Sequence, residues 1–339
     1  MKESKKSNTF SRRQFIGLTT AATAGLVIGS QSAFGVPAYI KNLGKPNSVF
    51  GGVQIGAITY SWRSMPSSAE QVLQYCVDCN VSAIELMGNV AEGFAGAPAP
   101  WQFPASARPA PGQRPVLTDE QKSEQAEKAK ALTEWRSKAA MDKFEQLKKM
   151  YKDAGVSIYA FKPNAFGINN SDVEVDYGIR AAKALGASHV TLEMPTDASQ
   201  TKRLSDIGAK YKIMVAYHGH EQQTPTMWDA ALAESKYNAL NCDFGHYTAA
   251  GFNAVELLQA KHDRIASAHI KDRQNKEHGG ANLLWGTGDT PIAQILQTMK
   301  KNKYKFPATV ELEYAIPEGS DAVKETAKCV EYARKALES

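Results

Sequence analysis

The sequence predicts an α/β protein built as one (β/α)8 barrel. Short β-branched or apolar runs alternate with longer amphipathic ones, and eight such short runs fall between residues 53 and 313. No GxGxxG follows the first of them, which argues against a doubly wound open sheet.

The runs that read as strands are 53–60, 83–87, 156–161, 189–193, 213–218, 239–243, 265–270 and 308–313. A helical pattern separates each pair, and one follows the last. Gly155 and Gly186 stand where left-handed helix caps are expected. Residues 88–118 depart from the regular unit, with six prolines and Trp101 among them. Such an insertion is either a rim contact for a ligand, through Trp101, or a loose loop. A long charged helix over about 119–153 follows, its apolar stripe running from Leu132 and Trp135 to Leu147 and Tyr151.

Of 339 residues, 43% are hydrophobic and 22% charged, which excludes disordered and collagen-like chains, and four cysteines cannot make a disulfide scaffold. Cys76 and Cys79 read as two small buried thiols on a helix face. The formal charge is +5, but residues 1–35 hold Lys2, Lys5, Lys6, Arg12 and Arg13 against Glu3 alone. The remainder, 36–339, is therefore close to neutral, which speaks against a nucleic-acid partner. Arg12-Arg13-Gln-Phe-Ile before a short, weakly apolar run resembles a twin-arginine signal, so 1–35 is expected to direct export to the periplasm. That run is too short and too weakly apolar to span a bilayer. Homo-oligomerisation is left open.

In such a barrel the active site lies at the carboxyl ends of the strands. Glu85, Lys162, Glu193, His218 with His220, Asp243 with His246, His269 with Lys271, and Glu311 with Glu313 all sit at those ends. Carboxylates gathered in one mouth repel, and a divalent cation is the simplest way to stabilise them beside imidazoles. Mn²⁺ is the first expectation, with Co²⁺, Zn²⁺ and Mg²⁺ as alternatives.

The segments DFGHYTAAG (243–251), AHIKD (268–272), WGTGD (285–289) and VELEY (310–314) resemble the xylose-isomerase-like barrel superfamily of sugar phosphate isomerases and epimerases. The resemblance covers roughly 50–335. It implies that Asp243 and His269 bind metal, and that a Glu on the eighth strand completes the set; Glu313 is preferred over Glu311, which shares its face. Many relatives supply a further Glu from strand five, where this chain has YHGHE (217–221). Glu193 is the expected substitute and His218 its competitor.

A keto sugar bound to such a centre loses an α-proton to a nearby base. His220, His218 and Lys162 are the candidates for proton transfer. Glu85, His246, Lys271, Glu311 and Trp101 are candidates for holding substrate. The expected activity is isomerisation or epimerisation of an unphosphorylated sugar, with a hydratase or lyase acting on 3-keto-sugar derivatives close behind. DNA repair, suggested by the distant likeness to endonuclease IV, fits poorly with the charge. A non-catalytic sugar-binding barrel is the remaining alternative.

Overall fold

The computed structural model describes residues 44–102 and 117–339. The signal expected in 1–35 and the middle of the proline-rich insertion lie outside the described residues.

Eight parallel strands close into a barrel: β2 (Val53–Ile58), β3 (Ala83–Met87), β4 (Ser157–Lys162), β5 (His189–Glu193), β6 (Met214–His218), β7 (Asn238–Asp243), β8 (Ile265–Ile270) and β11 (Ala308–Val310). Pairing of β11 with both β8 and β2, and of β2 with β3, completes the ring. A short strand β1 (Val49–Phe50) adds to β2 antiparallel, and β9 (Asp272–Arg273) pairs with β10 (Asn282–Leu283) just beyond β8. The expected strand positions match to within about a residue, except that β2 ends at Ile58, where a 3₁₀ turn Thr59–Trp62 begins, and β11 ends at Val310, leaving Glu311 and Glu313 on the segment that leads away from it.

Alternation along each strand sorts the side chains. On β5, Val190 and Leu192 face the surrounding helices, while His189 and Thr191 join hydrogen bonds that cross the barrel. On β8, Ala268 and Ile270 belong to the helix-facing core, and Ser267 and His269 point inward. The barrel interior is therefore polar in its middle, where bulky branched side chains are usual. That polarity costs stability unless every group finds a partner, and it foreshadows a site.

The helices between strands are set by local chemistry. Ser68 with Gln71, Thr118 with Gln121, and Ser171 with Glu174 form reciprocal capping boxes. Gly186 ends the helix Asp172–Leu185 at φ +79°, a left-handed position that glycine adopts without penalty. The long helix expected over 119–153 is two helices, Asp119–Lys138 and Asp142–Asp153, because Ala139 is extended at ψ 124°. The first of these is mostly solvated, and Arg136 anchors it, its guanidinium buried against Glu92 at 2.8 Å and Glu174 at 3.4 Å. The insertion is also less irregular than its prolines suggest, since Gly88–Ala95 is helical. All four cysteines are buried and free. Among the described residues, no helix is long and apolar enough to cross a membrane.

Candidate metal centre

At the carboxyl ends of β6, β7, β8 and β11, four side chains converge: His218, Asp243, His269 and Glu311. One ligand atom from each lies within 4.8 Å of the others, and all four are buried.

Asp243 is placed by the sequence Asp-Phe-Gly-His. It caps the helix Phe244–Ala249, its Oδ1 accepting the His246 backbone N–H at 2.7 Å. The cap leaves Oδ2 pointing into the set, fully buried and 3.0 Å from Lys271 Nζ. A buried carboxylate oxygen is expensive unless a cation sits beside it, a place that the Lys271 ammonium fills and for which a metal ion would compete. Register does the rest: Asp243 pairs with His269 across β7 and β8.

His269 presents Nδ1 to the set, 3.1 Å from Glu311 Oε2 and 3.9 Å from Asp243 Oδ2. Its other nitrogen, Nε2, meets Glu85 Oε2 at 2.9 Å. Burial works against charge on this ring, but Glu311 and Glu85 outweigh it and push the pKa up to about 10. His218 behaves oppositely: burial, with His269 and Lys162 adding to it, pushes it down to about 4. His218 is thus neutral, its Nδ1 against Asn241 Oδ1 at 2.9 Å and its Nε2 3.9 Å from Asp243 Oδ2. Two imidazoles, each braced on its far nitrogen, and two carboxylates match the donor chemistry of a divalent metal site, which His269 would join on giving up its Nδ1 proton.

Lys271 is buried beside the set. Its Nζ is 3.0 Å from Asp243 Oδ2, 2.7 Å from Glu311 Oε2, 2.6 Å from Glu313 Oε2 and 2.9 Å from His246 Nε2. Burial opposes its charge, but Asp243, Glu311 and Glu313 prevail and hold it protonated. The chain reaches this place because residue 245 is glycine: a Cβ there would stand 2.3 Å from Lys271 Cγ.

Two expected ligands lie elsewhere. Glu193 is half-exposed and bridges Lys162 Nζ at 3.0 Å and His220 Nε2 at 3.2 Å. Glu313 pairs with Lys271 outside the four-residue set, because the chain has left the strand by that point and Glu311 takes the inward position. His218, expected as a proton carrier or alternative ligand, and Glu311, expected to hold substrate, are the residues that join Asp243 and His269. Glu85, expected to hold substrate, is buried inside the barrel, where Thr191 Oγ1 at 2.6 Å, Asn241 Nδ2 at 3.1 Å and His269 hold it behind the centre. Trp101 donates to Glu124 on the solvated helix at 3.3 Å. Lys162, expected as a base, is kept protonated by Glu193 and Glu85 against the effect of burial.

His220 and His246 stack at the mouth, ring centroids 4.5 Å apart. With His218 they form a second cluster of three imidazoles. A cation there is disfavoured, since Lys271 and Arg273 both contact His246. Burial and Lys271 push His246 down to about 3. Beside the centre, a cavity of about 540 Å³ opens between the ends of β4 and β5, with Lys162, Thr191 and Glu193 on its inner wall and Phe166, Ile168 and Asn170 further out.

Asn241 and Arg273 also belong to this region but are absent from the sequence reading, and Glu221 stood in it only as part of the strand-five end YHGHE. Asn241 was within reach of it, two residues before Asp243 on the same strand face. Arg273 pairs with Glu221 across 52 residues, so its place here left no local signal.

A closed parallel barrel with imidazoles and carboxylates gathered at its carboxyl-terminal mouth defines the class. The chain belongs to the xylose isomerase-like TIM barrel family, whose model matches residues 124–333. A curated relative, inosose dehydratase of Lactiplantibacillus plantarum, is 30% identical over 128 residues, which cover 32% of this chain and 43% of that protein. The chain thus spans less than half the length of that relative. The solved structure of the probable 3-DHS dehydratase AsbF from Bacillus anthracis is 14% identical with a TM-score of 0.56, covering 82% of this chain and 97% of that one. The IOLI protein, solved with a zinc atom, is 17% identical with a TM-score of 0.54, covering 84% and 99%. These likenesses establish the shared fold.

Proposed function

We propose that the protein is a metal-dependent enzyme that enolises a keto sugar and then eliminates water from it. The observation that carries this reading is the buried set His218, Asp243, His269 and Glu311, with one ligand atom of each within 4.8 Å of the others. These four residues would hold a divalent cation, which would supply Lewis acidity to a sugar carbonyl and stabilise the negative charge left when an α-proton departs. With two imidazoles among the donors, Zn²⁺ or Co²⁺ is preferred to the Mn²⁺ first expected.

His220 is the proton carrier. It is half-exposed at the mouth, and its hydrogen bond to Glu193 holds its pKa above the ordinary value of 6.5 despite some burial. The neutral ring takes the α-proton, and the resulting imidazolium returns it to the β-hydroxyl, which leaves as water while the C–C double bond forms. Lys162 and Lys271, both protonated, orient hydroxyl or carbonyl oxygens, and His246, weakly basic, accepts from a hydroxyl.

Elimination needs one mobile proton carrier, whereas epimerisation needs one on each face of the carbon. His220 is one; Lys162 and Lys271 are tied up as ammonium ions by carboxylates. The partial likeness to inosose dehydratase supports the same choice. Isomerisation or epimerisation is the second reading, since the first step is shared. Export, expected from residues 1–35, favours an unphosphorylated substrate; an Arg12→Lys, Arg13→Lys variant that is still secreted would refute that route.

Incubation of the metal-loaded protein with keto sugars in deuterated water decides the reaction. Loss of the mass of one water supports elimination. Deuterium incorporation alone supports isomerisation or epimerisation. No exchange with any keto sugar tested points to a sugar-binding barrel without activity.

A further inference from the structure

Asn241 is fully buried in the middle of the barrel, and it touches both histidine systems of the candidate centre. Its Nδ2 lies 3.1 Å from Glu85 Oε2 and 2.8 Å from Ser267 Oγ; its Oδ1 lies 2.9 Å from His218 Nδ1. These contacts leave little freedom in how protons are arranged.

Glu85 accepts from Thr191 Oγ1 at 2.6 Å through Oε1 and meets His269 Nε2 at 2.9 Å through Oε2, the surroundings of a carboxylate. A carboxylate only accepts hydrogen bonds, so the amide must turn its NH₂ towards Glu85. A flip would set Oδ1 against the carboxylate, acceptor against acceptor, in a buried place where that is costly. The second N–H goes to Ser267 Oγ, whose own proton is then free for His189 Nε2 at 2.9 Å. With its nitrogen committed, the amide has only its oxygen to offer His218. An amide oxygen only accepts, so His218 Nδ1 must carry the proton. In the neutral ring Nε2 is then the bare lone pair, and it faces Asp243 and the rest of the set.

We infer that Asn241 is the positioning residue that selects the metal-binding tautomer of His218. It transmits the charge of Glu85 to a ring that Glu85 does not touch. The same carboxylate holds Nε2 of His269 directly, so one buried anion orders both imidazoles, one at first hand and one through the Asn241 amide. The inference rests on the metal centre proposed above for its consequence, but the proton arrangement itself does not.

Two measurements test it. In the metal-free protein with ¹⁵N-labelled histidine, ring-nitrogen NMR reads the His218 tautomer; Nδ1 protonated and Nε2 bare is expected, and the reverse overturns the inference whatever the protein binds. The second is a Zn²⁺ affinity cycle. Asn241→Leu, close in size and without hydrogen bonds, should weaken Zn²⁺ by about 10- to 100-fold. In a His218→Glu background the ligand has no tautomer to select, so the same Asn241→Leu change should have little effect on Zn²⁺ affinity. An equal loss in both backgrounds, or no loss in a folded Asn241→Leu variant, sinks the proposal. Thermal melts by circular dichroism establish folding, and a variant that does not fold leaves the NMR measurement on the wild type to decide. Absence of Zn²⁺ binding by the wild type would instead count against the metal centre, with the tautomer still judged by NMR.

Discussion

Lys271 Nζ lies 2.7 Å from Glu311 Oε2, inside the candidate metal centre, and also 3.0 Å from Asp243 Oδ2. The ammonium thus competes with a metal ion for the same two carboxylates. In its absence Asp243, Glu311 and Glu313 face one another uncompensated. Lys271→Met should therefore bind Zn²⁺ more tightly than the wild type while its metal-free form loses about 3–5 kcal/mol of stability. Chelator competition and urea unfolding of the metal-free protein read the two effects; a change of the same sign in both would contradict the competition.

The four-residue set makes a sharp distinction among nearby carboxylates and histidines. Asp243→Ala and His269→Ala should lose stoichiometric metal. Glu193→Gln and Glu313→Gln should keep it, since both lie outside the set. Metal analysis of the purified variants checks this, and metal loss in Glu193→Gln would restore that residue as a ligand.

The proton carrier has its own signature. His220 is raised by Glu193, and its neutral form does the work, so kcat/KM should rise with pH through a pKa above 6.5. Glu193→Gln removes the carboxylate that favours the imidazolium, so the rise should move to lower pH. His220→Gln should abolish the limb and cost about 10²- to 10⁴-fold in kcat. A pH–rate profile of the three proteins is the measurement; an unshifted limb in Glu193→Gln would exclude His220 as the carrier.

Arg136 is a structural counterpart, remote from the set. Its guanidinium holds Glu92 and Glu174, both buried, and donates to Asn164 O at 3.0 Å. Arg136→Met strands two carboxylates and should cost about 3–5 kcal/mol. Urea unfolding measures it, and restoration towards the wild-type midpoint in Arg136→Met, Glu92→Gln would show that the stranded charge is the cause.

Strand order and site location were legible in the sequence because both follow from short-range patterns. Eight β-branched runs between helical ones define the barrel, and a parallel barrel puts strand carboxyl ends in one mouth. Asp243 and His269 were identified from their motifs, and the closed barrel brings them into register. The choice between Glu311 and Glu313 was not legible, because period-two alternation assumes that the strand continues, and β11 stops at Val310. Likewise Glu193 and His218 both end strands, but only packing decides that one side chain turns to solvent and the other inward.

The sequence by itself thus determined the architecture, the family likeness and the chemistry gathered at one end. Tertiary structure alone decided which atoms face each other: the inward oxygen of Asp243, the ammonium of Lys271 beside it, and the Glu85–Asn241–His218 chain that joins residues 156 and 23 positions apart. The reason is physical. Periodicity fixes the face on which a residue lies, whereas proton placement and charge depend on partners within about 3 Å, and in a closed barrel those partners come from strands distant in sequence.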